Sequence, residues 1–181
     1  MKEHQVTDNP DLSIPVADGK PTKRIPLTKG RFALVDADDY DFLMQWKWCV
    51  GGGPWVFYAR RFQSLPDGKQ GNIFMHRVIL ETPKGMMTDH RDGDGLNNTR
   101  GNLRIATSSQ NQMNRGIRRG SASQFKGVYL RTGDPLKPWR AQIKANGHHI
   151  YLGIFVREED AGAAYAAAAA KHFGDYARVS D

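Results

Sequence analysis

Asp89 and His90 stand side by side, Asn102 follows twelve residues after the histidine, and Asn111 nine residues after that. Carboxylate, imidazole and amide at these intervals can bind one hard metal ion and activate one water. Mg²⁺ takes oxygen ligands and keeps several waters, so two protein oxygens suffice. Asp89 offers a carboxylate and Asn111 an amide oxygen. His90, on the opposite face of a strand from Asp89, could accept a water proton near neutral pH. A metal, a general base and a held water are the equipment for hydrolysing a phosphodiester.

Those residues need elements to position them. Met87 to His90 is expected to be a short strand that delivers the Asp-His pair. Asp92-Gly93-Asp94-Gly95 with Asn97-Asn98 is a loop rich in turn formers. A calcium loop is a poor alternative there, because no bidentate Glu follows at the right spacing. Asn102 to Ala106 returns as a second strand, and Thr107 or Ser108 can cap a helix running through Asn111 and Asn114. The order is strand, loop, strand, helix.

Upstream, residues 1–24 are polar and rich in Asp, Pro and Lys, and are expected to be a flexible tail. Ile25, Leu27, Phe32, Leu34 and Val35 predict a hairpin around Lys29-Gly30. Asp36 to Trp48 predicts a short helix with Phe42, Leu43 and Trp46 on its apolar side. Gly51 to Pro54 reads as a break, Trp55 to Arg60 as a strand with core aromatics, and Asn72 to Leu80 as another strand. Downstream, residues 116–123 form a basic linker. Residues 124–181 form a second unit, with strands at 127–131, 139–144 and 148–153 and a helix from about Arg157 to His172. Asn146-Gly147 is the hairpin turn between the last two strands. The fold class is α+β.

The chain of 181 residues carries 26 Lys and Arg against 19 Asp and Glu, a net charge of +7. Residues 70–120 hold eight basic against four acidic residues, so the densest positive field surrounds the Asp-His-Asn segment. That is where a phosphate backbone would lie, although charge alone equally suits any anionic partner. Cys49 is the single cysteine, which excludes an internal disulfide and a multi-cysteine zinc site. The N-terminus lacks the apolar core of a signal peptide, and no apolar run approaches the roughly 20 residues of a membrane span. A cytoplasmic protein without membrane contact is the expectation.

The segment from Met75 to Arg115, MHRVILETPKGMMTDHRDGDGLNNTRGNLRIATSSQNQMNR, resembles the HNH endonucleases, especially the phage and intron-encoded homing type. The resemblance implies a ββα-metal core at about 86–115 within a nuclease domain at 25–115. It implies that Asp89 and Asn111 hold Mg²⁺, or another divalent cation such as Mn²⁺, with His90 as general base. Asn102 would tie the loop backbone so that His90 is aimed. Asn111 stands where many relatives carry a final His. His76 and Arg77 resemble an upstream His-Arg pair of that family, serving either phosphate contact or hairpin packing. Residues 124–178 resemble the ethylene-response-factor (AP-two) DNA-binding domain, through Gly127-Val128, Trp139 to Lys144, Tyr151 to Phe155, Glu158 to Ala161 and Ala164-Tyr165. That fold is a three-stranded antiparallel sheet packed on one helix. The likeness implies a face toward double-stranded DNA made by Lys126, Tyr129, Arg131, Gln142, Lys144, His149 and Tyr151. Arg115, Arg118 and Arg119 of the joint would run along phosphates. The expected protein is a metal-dependent DNA endonuclease, acting as a monomer. The alternative is a sequence-specific DNA-binding regulator with an inactive nuclease domain.

Overall fold

Ile25 and Leu27 are buried where charged residues beside them are not, and a hairpin results. β1 (Thr22–Pro26) pairs antiparallel with β2 (Phe32–Asp36), with Ile25 opposite Ala33. The computed structural model describes residues 19–53, 56–117, 120–133 and 135–178. β1 begins inside the stretch read from sequence as tail, because Thr22 is fully buried against its ladder partner Asp36. The chain divides into two compact units, one ending at Ile105 and the other starting at Ala106.

In the first unit, α1 (Ala37–Leu43) is shorter than its sequence suggests. Leu43 is fully buried, but Phe42 is about half exposed, with Trp46 edge-on to it just beyond the helix. β3 (Cys49–Gly52), β4 (Phe57–Ser64) and β5 (Gln70–Phe74) form an antiparallel sheet. Gly51 and Gly52, read as a break, are therefore part of a strand. Trp55, the expected start of the next strand, lies outside the described residues. The strand expected to reach Leu80 ends at Phe74 and gives way to α2 (Met75–Ile79). Met75 and Ile79 are both buried, four residues apart, which is one helical face and not one face of a strand. The core gathers Ile25, Val35, Leu43, Trp48, Ala59 and Met75. Each large aliphatic side chain there contributes about 1.5–3 kcal/mol by leaving water. β6 (Met87–His90) and β7 (Leu103–Ala106) form a two-stranded ribbon.

In the second unit, α3 (Ser108–Met113) opens on a full capping box, Thr107 with Gln110, which satisfies its first amides. Its Met113 packs on the cluster of Ile143, Tyr165 and Phe173. By compactness α3 groups with the second unit. β8 (Val128–Leu130), β9 (Trp139–Ala145) and β10 (His148–Phe155) make an antiparallel sheet in the order β10-β9-β8. Asn146 (φ 51°) and Gly147 (φ 82°) close the β9–β10 hairpin in the left-handed conformations that this turn demands. Ala141, Ile143 and Ala145 are buried, while Arg140 just before them and Lys144 among them are exposed. α4 (Glu158–Phe173) carries three acids in its first turn and Lys171-His172 in its last, as the helix dipole favours. Tyr165, Ala169 and Phe173 of α4 pack with Ile143 and Ala145 of the sheet.

Candidate active site

Short polar side chains hold the loop between β6 and β7 in one shape. The Asp92 amide donates to Asn102 Oδ1 (3.1 Å), and Asn102 Nδ2 donates to Asp92 Oδ1 (2.9 Å) and to the Asn97 carbonyl (2.8 Å). Asn97 Nδ2 donates to Asp92 Oδ2 (2.7 Å), and the Asp94 and Leu96 amides donate to Asp92 Oδ1 and Asp94 Oδ1. The two loop aspartates thus serve as turn acceptors, as short acidic side chains do in Asx-turns. Gly95 is required by close approach: a Cβ there would sit 2.3 Å from the Phe57 carbonyl oxygen and 2.6 Å from the Tyr58 ring.

The same loop is fastened to the N-terminal hairpin. The Leu34 amide donates to the Leu96 carbonyl (2.9 Å) and the Asn98 amide to the Leu34 carbonyl (2.7 Å), so the loop runs parallel along β2. The Arg100 amide donates to Asp36 Oδ2 (2.9 Å), and its guanidinium grips both oxygens of Asp39 (2.8 and 2.7 Å). Nothing in the sequence marked Leu34, Asp36, Asp39 or Arg100 as residues that would fasten this loop. Their partners lie more than sixty residues apart, beyond any local motif.

His90 ends β6, buried among rings and amide. Its Nε2 lies 3.4 Å from Asn98 Oδ1. Tyr58 is tilted against it at 5.8 Å between centroids, and His76 meets it edge-on at 5.1 Å. Burial lowers the pKa of His90, against the raising effects of Asn98 and then Asp92, Asp89 and Asp94. The ring is therefore neutral at neutral pH and can accept a proton. His76 stacks on Phe74 and its Nδ1 has no hydrogen-bond partner. Burial, then the neighbouring His90 and Arg77, push its pKa down to about 3. Arg77 donates to the carbonyls of Met86, Thr82 and Pro83 in the turn before β6.

A stability prediction follows for His76. Its pKa is lowered in the folded chain and ordinary, near 6.5, when unfolded. Between those values the unfolded chain binds the extra proton, so its contribution is whole above pH 6.5 and is lost as pH falls toward about 3. The groups facing it are His90, Arg77 and the Tyr58 ring. His76→Phe should keep the stack on Phe74 and flatten the acid side of the stability curve by about 1.4 kcal/mol per pH unit. Urea midpoints at pH 7.5, 6 and 5 for both proteins check this; parallel curves refute it.

Asp89 faces the other way. Arg104 of β7 donates to its Oδ2 from Nε (2.7 Å) and Nη2 (2.6 Å), with both side chains under a tenth exposed. Among the described residues no cluster of three His, Cys, Asp or Glu forms. One carboxylate with an amide oxygen still fits a hard divalent cation that keeps most of its waters, and not a soft metal needing several nitrogen or sulfur ligands. Asn111, the expected second donor, is half-buried on α3 in the second unit. Asp89, His90 and Asn102 belong to the first unit, on one strand and at the close of one loop.

In the second unit, cross-strand pairing sets which residues share a face. Tyr129 is opposite Arg140, Tyr151 opposite Gln142, and His149 opposite Lys144. These six lie on the side of the sheet away from Ala141 and Ile143. The expected face is thus assembled as to Tyr129, Gln142, Lys144, His149 and Tyr151. Arg140 joins it, bonded to Gln142 Oε1 (2.8 Å) and 5.6 Å from the Tyr151 ring centroid. The period-two series Arg140, Gln142, Lys144 was the signal for it. Lys126 donates instead to the Met113 carbonyl, and Arg131 to that of Lys137 (3.3 Å). Arg115 is exposed after α3, and Arg118 and Arg119 lie outside the described residues.

The strand-borne Asp-His pair, the Asn-closed loop and α3 all fall within one stretch that matches a known family. The HNH endonuclease family model matches residues 74–113. An uncharacterized HNH endonuclease of Acanthamoeba polyphaga mimivirus is 32% identical over 152 residues, covering 82% of this chain and 74% of that protein. The chain belongs to the HNH endonuclease family. No solved structure matches it. No helix among the described residues is long and apolar enough to cross a membrane.

Proposed function

We propose that the protein is a divalent-metal-dependent DNA endonuclease of the homing type, a monomer whose residues 25–115 cut and whose residues 124–181 read the site. The observation that carries the catalytic part is His90, enclosed in a buried ring cluster next to Asp89, where burial favours the neutral imidazole. His90 takes the proton of a water, which attacks phosphorus in line and leaves 5′ phosphate and 3′ hydroxyl ends. Asp89 would hold a divalent cation such as Mg²⁺, whose chemistry when bound is to neutralise charge on the phosphate and leaving oxygen. Asn102 fixes the loop and so the direction of His90. Incubation with supercoiled DNA and Mg²⁺, with an EDTA control, tests this: nicked or linear product that depends on the metal is expected. No cleavage of DNA containing the bound site, with tight binding retained, would identify a DNA-binding regulator instead.

The outer sheet face supports the reading role, since a β-surface of alternating basic, amide and aromatic side chains matches the width of a major groove. Lys144→Ala and Arg140→Ala should each weaken duplex binding. For a phosphate contact the loss is uniform across sequences and the slope of log K against log salt falls by about one. For a base contact the loss is about 1–3 kcal/mol at one position of the site. Anisotropy titrations across a salt series decide, and unchanged affinity in both variants would sink the assignment.

A further inference from the structure

We infer that Asn98 is the positioning residue for the general base, carried to His90 by a loop that uses β2 as its template. The inference deepens the proposed mechanism and rests on His90 being the base. Three hydrogen bonds define it. The Asn98 amide is fixed to the Leu34 carbonyl (2.7 Å), its Nδ2 donates to the Leu96 carbonyl (3.1 Å), and its Oδ1 faces His90 Nε2 (3.4 Å). The residue is completely buried. Because Nδ2 is committed to a carbonyl, Oδ1 is the atom turned to the ring, and an amide oxygen can only accept. His90 Nε2 must then carry its hydrogen, which fixes both the tautomer and the ring plane. His76 closes the other approach edge-on, so the imidazole is held from two sides.

The placement gives the N-terminal hairpin a task. Leu34 bonds the loop on both sides of Asn97, through Leu96 and through Asn98. Arg100 adds the bidentate pair with Asp39 two residues further on. The hairpin and α1 thus set where Asn98 stands, and Asn98 sets how His90 points. For metal-bound histidines the loss of such an outer hydrogen-bond partner typically costs about 10–100-fold, and a loss of the same order is expected here.

The test combines kinetics with a direct reading of the ring. Asn98→Leu keeps the volume and removes the acceptor; Asn98→Asp keeps the acceptor. Single-turnover nicking by Asn98→Leu is expected to fall about 10–100-fold with the half-saturating DNA concentration unchanged, and Asn98→Asp should recover most of that loss. Nitrogen-15 NMR of His90 in the native protein should show the single Nε2–H tautomer, giving way to a mixture in Asn98→Leu. A native Nδ1–H tautomer overturns the inference, as does a native rate in Asn98→Leu with the tautomer unmoved. Should Asn98→Leu fail to fold, the tautomer of the native protein decides alone. His90→Ala separates the two claims: if it still cuts, the base assignment fails, while the tautomer continues to report on Asn98.

Discussion

His90→Ala is expected to slow single-turnover nicking of supercoiled DNA by about 10²–10⁴-fold, the contribution of a placed general base, and to leave duplex affinity as it was. The two readouts separate because the groups behind them differ. His90 is buried, its ring enclosed by Tyr58, His76 and Asn98, and burial lowers its pKa, which disfavours the charged form that a phosphate would attract. Affinity for a polyanion comes from basic side chains and from release of counterions. Lys144 and Arg140 of the second unit's sheet are exposed and suited to that. Anisotropy with a labelled duplex at fixed salt, beside the nicking assay, measures both quantities. Equal loss of binding and cutting would count against the assignment, because it would mean that the substitution had damaged the surface that holds DNA. Residual cutting at the native rate would remove His90 from the mechanism altogether.

The parts of this site visible in the sequence are those set by neighbours along the chain. Asp89 and His90 fall on a strand as their flanks suggest, Asn102 ties the loop, and Thr107 caps the helix that follows. Asn146-Gly147 turns where such a pair must. The parts that were not visible depend on distant partners. Arg104 sits between Leu103 and Ile105, where polarity alone would send it to solvent; instead it is buried and Ile105 is 39% exposed. The reason is Asp89, fifteen residues earlier, which needs a counter-ion inside. Residues 72–80 satisfy both a strand and a helix pattern, and the buried pair Met75 and Ile79 decides for the helix after Phe74. Gly51 is in a strand through its pairing with Tyr58, and it is a glycine there because the Arg60 side chain crosses it; a Cβ would be 2.1 Å from Arg60 Nε. Loop docking through Leu34, Asp36 and Asp39 leaves no periodic trace at all, since two main-chain bonds, one amide-to-carboxylate bond and one ion pair carry it.

Arg104→Leu should be the most damaging single change for the stability of the first unit, at about 3–5 kcal/mol. The guanidinium places two nitrogens on Asp89 Oδ2, and the two side chains are only 8% and 5% exposed. Taking both charges out of water costs several kcal/mol per ion, and their mutual attraction offsets that only while both are present. Leucine fills much of the arginine's space but leaves the buried carboxylate without this counter-charge. Asp89→Leu with Arg104→Leu should therefore cost less than Arg104→Leu alone, since no charge then remains to be desolvated, though it abolishes the ligand expected to hold the metal. Urea unfolding followed by tryptophan fluorescence reads mainly the first unit, which holds Trp46 and Trp48 in and beside its core. A double variant as unstable as the sum of the singles would show that Asp89 and Arg104 do not stabilise one another. A double variant that regains stability while remaining inactive would show that the pair stores, at a cost to the fold, a carboxylate that the site needs for its reaction.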